Sequence, residues 1–153
     1  MLAIPLSASA GGFTPAQISL LPDGAQLPTS DVPVRGISLN PYFGMQKSVT
    51  GAELGVLNFI DGDLKGAGVG LANATTANVV GAQLSAMNVV GGKLDGVQIG
   101  ALASQASDCR GLQIGVLYTS ADSSRGACLQ LGLMNFNASS VVPVFPILNI
   151  SIR

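Results

Sequence analysis

The sequence predicts an all-β protein, a parallel β-solenoid of about fifteen residues per coil and roughly seven coils, capped at both ends. Three observations carry this. Gly51, Gly66, Gly81, Gly96, Gly111 and Gly126 recur at one phase without a gap. Inside each block a period of five repeats a triplet that is small or aliphatic, then polar, then aliphatic, as in Ala52-Glu53-Leu54, Leu57-Asn58-Phe59 and Gly62-Asp63-Leu64. Helix is disfavoured, because glycine costs up to about 1 kcal/mol in a helix interior and no stripe of helical period appears.

Taken in order, residues 1–35 form an N-terminal cap segment. Met1 to Ala10 is apolar and ends in Ala8-Ser9-Ala10, which fits either an ordered segment or the back half of a secretory signal. Ala16 to Leu20 looks like a degenerate strand of the repeat, Pro22-Asp23-Gly24 like a turn, and Leu27 to Pro33 like an extended connector. Residues 36–140 are the repeats: an imperfect first block from Gly36, five regular ones, and a seventh that aligns only if two residues are inserted between Ser123 and Cys128. Residues 141–153 break the period with two prolines and a short alternating strand, as a solenoid cap does.

If the outer residues of each triplet face inward, Leu39, Leu54, Val69, Leu84, Ile99, Ile114 and Leu131 stack up one inner wall. Val49, Leu64, Val79 and Leu94 stack up a second, which Cys109 continues. The middle residues then form outer ladders, Gln83, Gln98, Gln113 and Gln130 with Glu53 before them, and Asn58, Asn73, Asn88 and Asn135. Stacked identical amides can bond along the axis. By spacing alone Phe43 and Tyr118 share the Asn58 row, and with Tyr42 they are the main aromatic candidates for an exposed contact.

The five-residue pattern is similar to that of pentapeptide-repeat β-helices. The blocks Gly96-Val97-Gln98-Ile99-Gly100 and Gly111-Leu112-Gln113-Ile114-Gly115, with the tail Pro143-Val144-Phe145-Pro146-Ile147-Leu148-Asn149, more closely resemble a bacterial surface-repeat family of leptospiral type. The start at Gln17-Ile18-Ser19-Leu20-Leu21-Pro22 fits the same likeness, which spans roughly residues 16–151. Ser85 stands where such blocks carry glycine. The resemblance implies a surface location and no particular chemistry.

Charged residues make up 10% of the chain, against about 25% in a typical domain. A monomer of this mass exposes roughly 7,000 Å², so part of the outside is expected to be covered by other subunits, another protein or lipid. The charges fall late in each block, which makes one wet edge and one dry side. A net charge of −1 gives no electrostatic case for nucleic acid.

No histidine is present, so Cys109 and Cys128 cannot form a Cys-His nucleophile or a common zinc site. They are compatible with one disulfide or with two buried thiols. Asp61-Gly62-Asp63 reads as a solvated turn before a calcium loop. The glycine phases lack the Lys-Ser or Lys-Thr of a phosphate loop, and the glycosylation-type motifs at Asn73, Asn137 and Asn149 are expected in an Asn-rich repeat.

The expected function is a non-enzymatic, self-associating structural subunit on a cell surface or outside the cell, a homo-oligomer or homopolymer with no cofactor and no bound metal. The alternatives are a surface binding or adhesion module using the outer Gln and Asn rows, and an outer-membrane β-barrel, whose repeated strands would form an antiparallel meander.

Overall fold

The computed structural model describes residues 12–19, 26–27, 31–124, 126–140 and 144–152. The signal-like start at 1–10 and the turn at Pro22-Asp23-Gly24 lie outside them. The strands are β1 (Thr14–Ser19), β2 (Gln26–Leu27), β3 (Val34–Gln46), β4 (Val49–Ile60), β5 (Leu64–Val69), β6 (Ala72–Thr75), β7 (Val79–Gly115), β8 (Tyr118–Ser123), β9 (Cys128–Asn137) and β10 (Val144–Ser151). Neighbouring coils are parallel and in register: Gly36 pairs with Gly51, Gly51 with Gly66 and Gly66 with Gly81. The molecule is a β-solenoid of about seven turns, about fifteen residues apart. This parallel register is not that of an antiparallel barrel meander.

The repeating glycine is a steric requirement. Gly66, Gly81, Gly96 and Gly111 have φ between 131° and 149°, and a Cβ on any of them would collide with the carbonyl oxygen of the glycine one coil below. Successive coils therefore approach closely at this bend.

Both ends are closed by antiparallel segments. At the N-terminal end β1 lies parallel to β3, with Ile18 beside Leu39, and β2 returns antiparallel along β1. The repeat-like stretch at 16–20 thus falls on β1 as far as Ser19. At the C-terminal end β10 runs antiparallel along the last coil, from Val144 beside Phe136 to Ser151 beside Cys128. The insertion falls where the spacing put it. Asp108 pairs with Ser123 fifteen residues on, whereas Gly111 pairs with Cys128, seventeen on.

The interior corrects half of the expected side-chain placement. The second wall is as expected: Val49, Leu64, Val79, Leu94 and Cys109 are fully buried, together with Val34, Ile60, Val90, Ala106 and Ala121. The first wall is inverted. Leu39, Leu54, Val69, Leu84 and Ile99 point outward, Leu84 with 48% of its surface exposed, and Ile114 and Leu131 are only half-buried. The predicted outer ladders are inside: Gln83, Gln98, Gln113, Gln130, Asn58, Asn73, Asn88 and Asn135 are all buried.

The reason is geometric. Gly55 and Gly70 follow the outward Leu54 and Val69 at a corner whose inner side is filled by Asn side chains, so a Cβ on either would strike Asn58. An amide fits because it bonds the next amide along the axis and the backbone of the turn.

Candidate interaction surface

Two buried amide ladders run in opposite senses. Gln98 donates to Gln83 at 3.1 Å, Gln113 to Gln98 at 3.0 Å and Gln130 to Gln113 at 2.9 Å, each nitrogen pointing toward the N-terminal end. Asn40 donates to Asn58 at 2.9 Å, Asn58 to Asn73 at 2.8 Å and Asn73 to Asn88 at 3.1 Å, toward the C-terminal end. The asparagines also bond corner carbonyls of the next coil: Asn58 to Val69, Asn73 to Leu84 and Asn88 to Ile99. These carbonyls lie at the corner, where the side chains supply hydrogen bonds to buried backbone; that of Leu84 also accepts from the Gly70 backbone at 3.0 Å. Ser104 does the same for Ile114, and Thr119 bonds Asn135 at 2.7 Å.

The register also moves two aromatics. Phe43 pairs with Leu57, and Tyr118 pairs with Met134 while Thr119 pairs with Asn135. Phe43 and Tyr118 therefore stand one place before the Asn row, displaced by one-residue irregularities that spacing alone hides. Both are half-buried, with the Tyr118 ring 5.3 Å from that of Phe136; Tyr42 is exposed.

With amides inside, aliphatic side chains are outside. One column runs through Ile18, Leu39, Leu54, Val69, Leu84, Ile99, Ile114 and Leu131, and Leu148 of β10 extends it. Around the next corner stand Val56, Leu57, Leu71, Met87, Leu117 and Met134, with Leu71 59% exposed. At ~4.8 Å per coil and ~3.3 Å per residue, seven coils and about six residues of width make an apolar side on the order of 700 Å². The largest apolar patch of an ordinary monomer is about 300–600 Å².

The charged edge lies apart from it. Lys93 and Arg110 flank Asp95 at 3.5 and 3.8 Å, and Asp63 accepts from the Asn78 backbone and side chain at 3.0 and 3.1 Å across the turn. A groove of about 880 Å³ follows this edge to the insertion, lined by Asp95, Arg110, Ser123, Ser124 and Ser139 among glycines and an alanine. The insertion is pinned by a disulfide between Cys109 and Cys128.

Glu53 is the acidic residue that leaves the edge. It is 1% exposed in the Gln row, and its Oε1 accepts from Asn40 Nδ2 at 3.0 Å beside the Gln46 side-chain amide. Burial pushes its carboxyl up to about 8, against the lowering effect of the Asn40 hydrogen bond. Among the described residues no group of three His, Cys, Asp or Glu side chains could hold a metal ion, and no helix is long and apolar enough to cross a membrane.

The arrangement defines a β-solenoid with an amide-laddered interior and an aliphatic side. Comparison with known protein families, curated proteins and solved structures finds no match.

Proposed function

We propose that this chain is a non-enzymatic structural subunit that self-associates through its aliphatic side, on a cell surface or outside the cell. One observation carries the reading: the Leu39 to Leu131 column and its neighbours around the next corner face outward as a continuous apolar side. An area of that size is close to the ~800 Å² per partner of a standard interface. The 10% charge content and the separate charged edge support it, because covering the dry side leaves the wet one exposed. The disulfide supports an oxidising compartment, and the likeness to a leptospiral-type surface-repeat family points the same way.

A binding module built on the Gln and Asn rows loses its surface, since those rows are buried. Size-exclusion chromatography with light scattering tests the proposal. The wild type is expected to form oligomers at tens of micromolar, and Leu84→Lys/Ile99→Lys to reduce their size. A wild type that stays monomeric there refutes it.

A further inference from the structure

On the side of the coil that carries the Gln row, two rows of side chains face outward, one before that row and one after it. The row after it is the Leu39 to Leu148 column, aliphatic throughout. The row before it divides by size: Ala52, Ala67 and Ala82 in the first half, then Val97, Leu112 and Leu129. Ile37 precedes Ala52, and Ile150 of β10 stands beside Leu129 and ends the row. Every member of both rows is at least partly exposed, and none is polar or charged. The face is therefore shallow over the alanines and bulky over the later coils.

We infer that two copies of this chain pack these faces together with their solenoid axes antiparallel, about a two-fold axis level with Val97. The inference rests on the self-association reading above and adds the orientation and register of the contact. The occupant is a second copy because the complement of the face, large where it is small, lies on the face itself. Packed sheets fill the gap between them to the density of a protein interior. Parallel axes set each row against the other at the same level, Ala67 against the partner's Val69 and Leu112 against the partner's Ile114. The alanine half then leaves a gap, and the other half is overfilled. Antiparallel axes set each row against its own reverse. With the two-fold at Val97, Ala82 meets the partner's Leu112, Ala67 the partner's Leu129 and Ala52 the partner's Ile150. Every alanine of the row from Ala52 onward is thus opposite a large side chain, and Ile37 lies past the end of the partner's row. Half a coil toward the N-terminus, the axis sets Ile37 against the partner's Ile150, large on large. Half a coil the other way, it leaves Ala52 without a counterpart. Asp95, the charge level with the axis, is flanked by Lys93 and Arg110. An isologous contact of this kind closes at two copies.

The test uses the full chain, with circular dichroism confirming the same β-signal in every form. Light scattering at tens of micromolar is expected to give twice the mass of one chain. Thr50, Lys65 and Val80 form one exposed row beside the face. Each is replaced in turn (Thr50→Cys, Lys65→Cys, Val80→Cys) and spin-labelled, the native cysteines being bonded to each other. Pulsed electron paramagnetic resonance is expected to show the distance between the two labels of a dimer shortening from Thr50 to Lys65 to Val80. Each coil nearer the two-fold removes about 10 Å along the solenoid axis, twice the ~4.8 Å spacing. Ala67→Leu is expected to overfill the contact and weaken the dimer about tenfold or more, and Leu129→Ala in the same chain to restore it. Equal distances at the three sites, as parallel axes give, overturn the inference and leave self-association standing. So does a dimer weakened by Ala67→Leu that Leu129→Ala does not restore. A monomeric wild type removes both.

Discussion

Glu53→Gln is the sharpest single test of the interior. Glu53 occupies the row that holds Gln83, Gln98, Gln113 and Gln130, with Ser38 and Gly68 as its register partners in the adjoining coils. Its Oε1 accepts from the Asn40 amide, which leaves the other oxygen to carry a proton, or the NH₂ of a glutamine. Unfolded, the carboxyl ionises near 4.5; folded, burial holds its proton until about 8. Between those values the folded state keeps a proton the unfolded chain has lost. The stability is therefore fully present below about 4.5 and falls as pH rises through the window. At about 1.4 kcal/mol per pH unit the loss reaches about 5 kcal/mol by pH 8 and about 3 kcal/mol at pH 7. Glutamine keeps the size and the hydrogen bonds without the ionisation. Urea unfolding from pH 4 to pH 9 is expected to show the two proteins equal within about 1 kcal/mol at pH 4, with the variant more stable by about 3 kcal/mol at pH 7. Parallel pH profiles would refute the claim that Glu53 sits in a closed amide row.

The other expectations concern the ladders, the bend and the staple. Asn73→Ala removes one hydrogen bond each from Asn58, Asn88 and the Leu84 carbonyl, and is expected to cost about 2–3 kcal/mol in urea melts; a loss under about 0.5 kcal/mol contradicts the ladder. Gly81→Ala drives a methyl into the Gly66 carbonyl at a φ of 136° and is expected to cost at least about 3 kcal/mol. Gly126→Ala, whose nearest neighbour would be the flexible Arg110 side chain at 3.5 Å, should cost clearly less in the same melts. Replacing Cys109 and Cys128 with alanine opens a loop with a sequence separation of 19 and is expected to cost about 3 kcal/mol. Reductant should lower the denaturation midpoint of the wild type and leave that of the variant unchanged.

Much of the coil was readable before any coordinates. The glycine phase gave the repeat, because only a residue without a Cβ can sit where one coil touches the next. Leu64, Val79 and Leu94 were readable as core because their phase is aliphatic from Val49 to Leu94 without a break. The Gln and Asn rows were misassigned by the rule that aliphatic residues face inward. A signal against that rule was present. Gln83, Gln98, Gln113 and Gln130 repeat the same amide at one phase through the insertion, and a solvated position has no need of one residue type. Glu53 in that row and Ser85 at a corner usually held by glycine are the same signal in another form, since Ser85 bonds Asn88 at 2.8 Å. Phe43 and Tyr118 were placed one row off because a one-residue slip leaves no mark on spacing.

The order of residues along the chain decides the period, the number of coils, the place of the insertion and which residues share a vertical row, since all of these are counts. Alternation along a strand also fixes that Gln98 and Ile99 face opposite ways. It cannot decide which of the two faces inward, because exchanging the faces leaves every count unchanged. That was settled by hydrogen bonding at the corners. Amides turned inward bond one another and the corner carbonyls at the coil spacing, which an aliphatic row cannot do, and that row is left as the outer side that the proposed assembly covers.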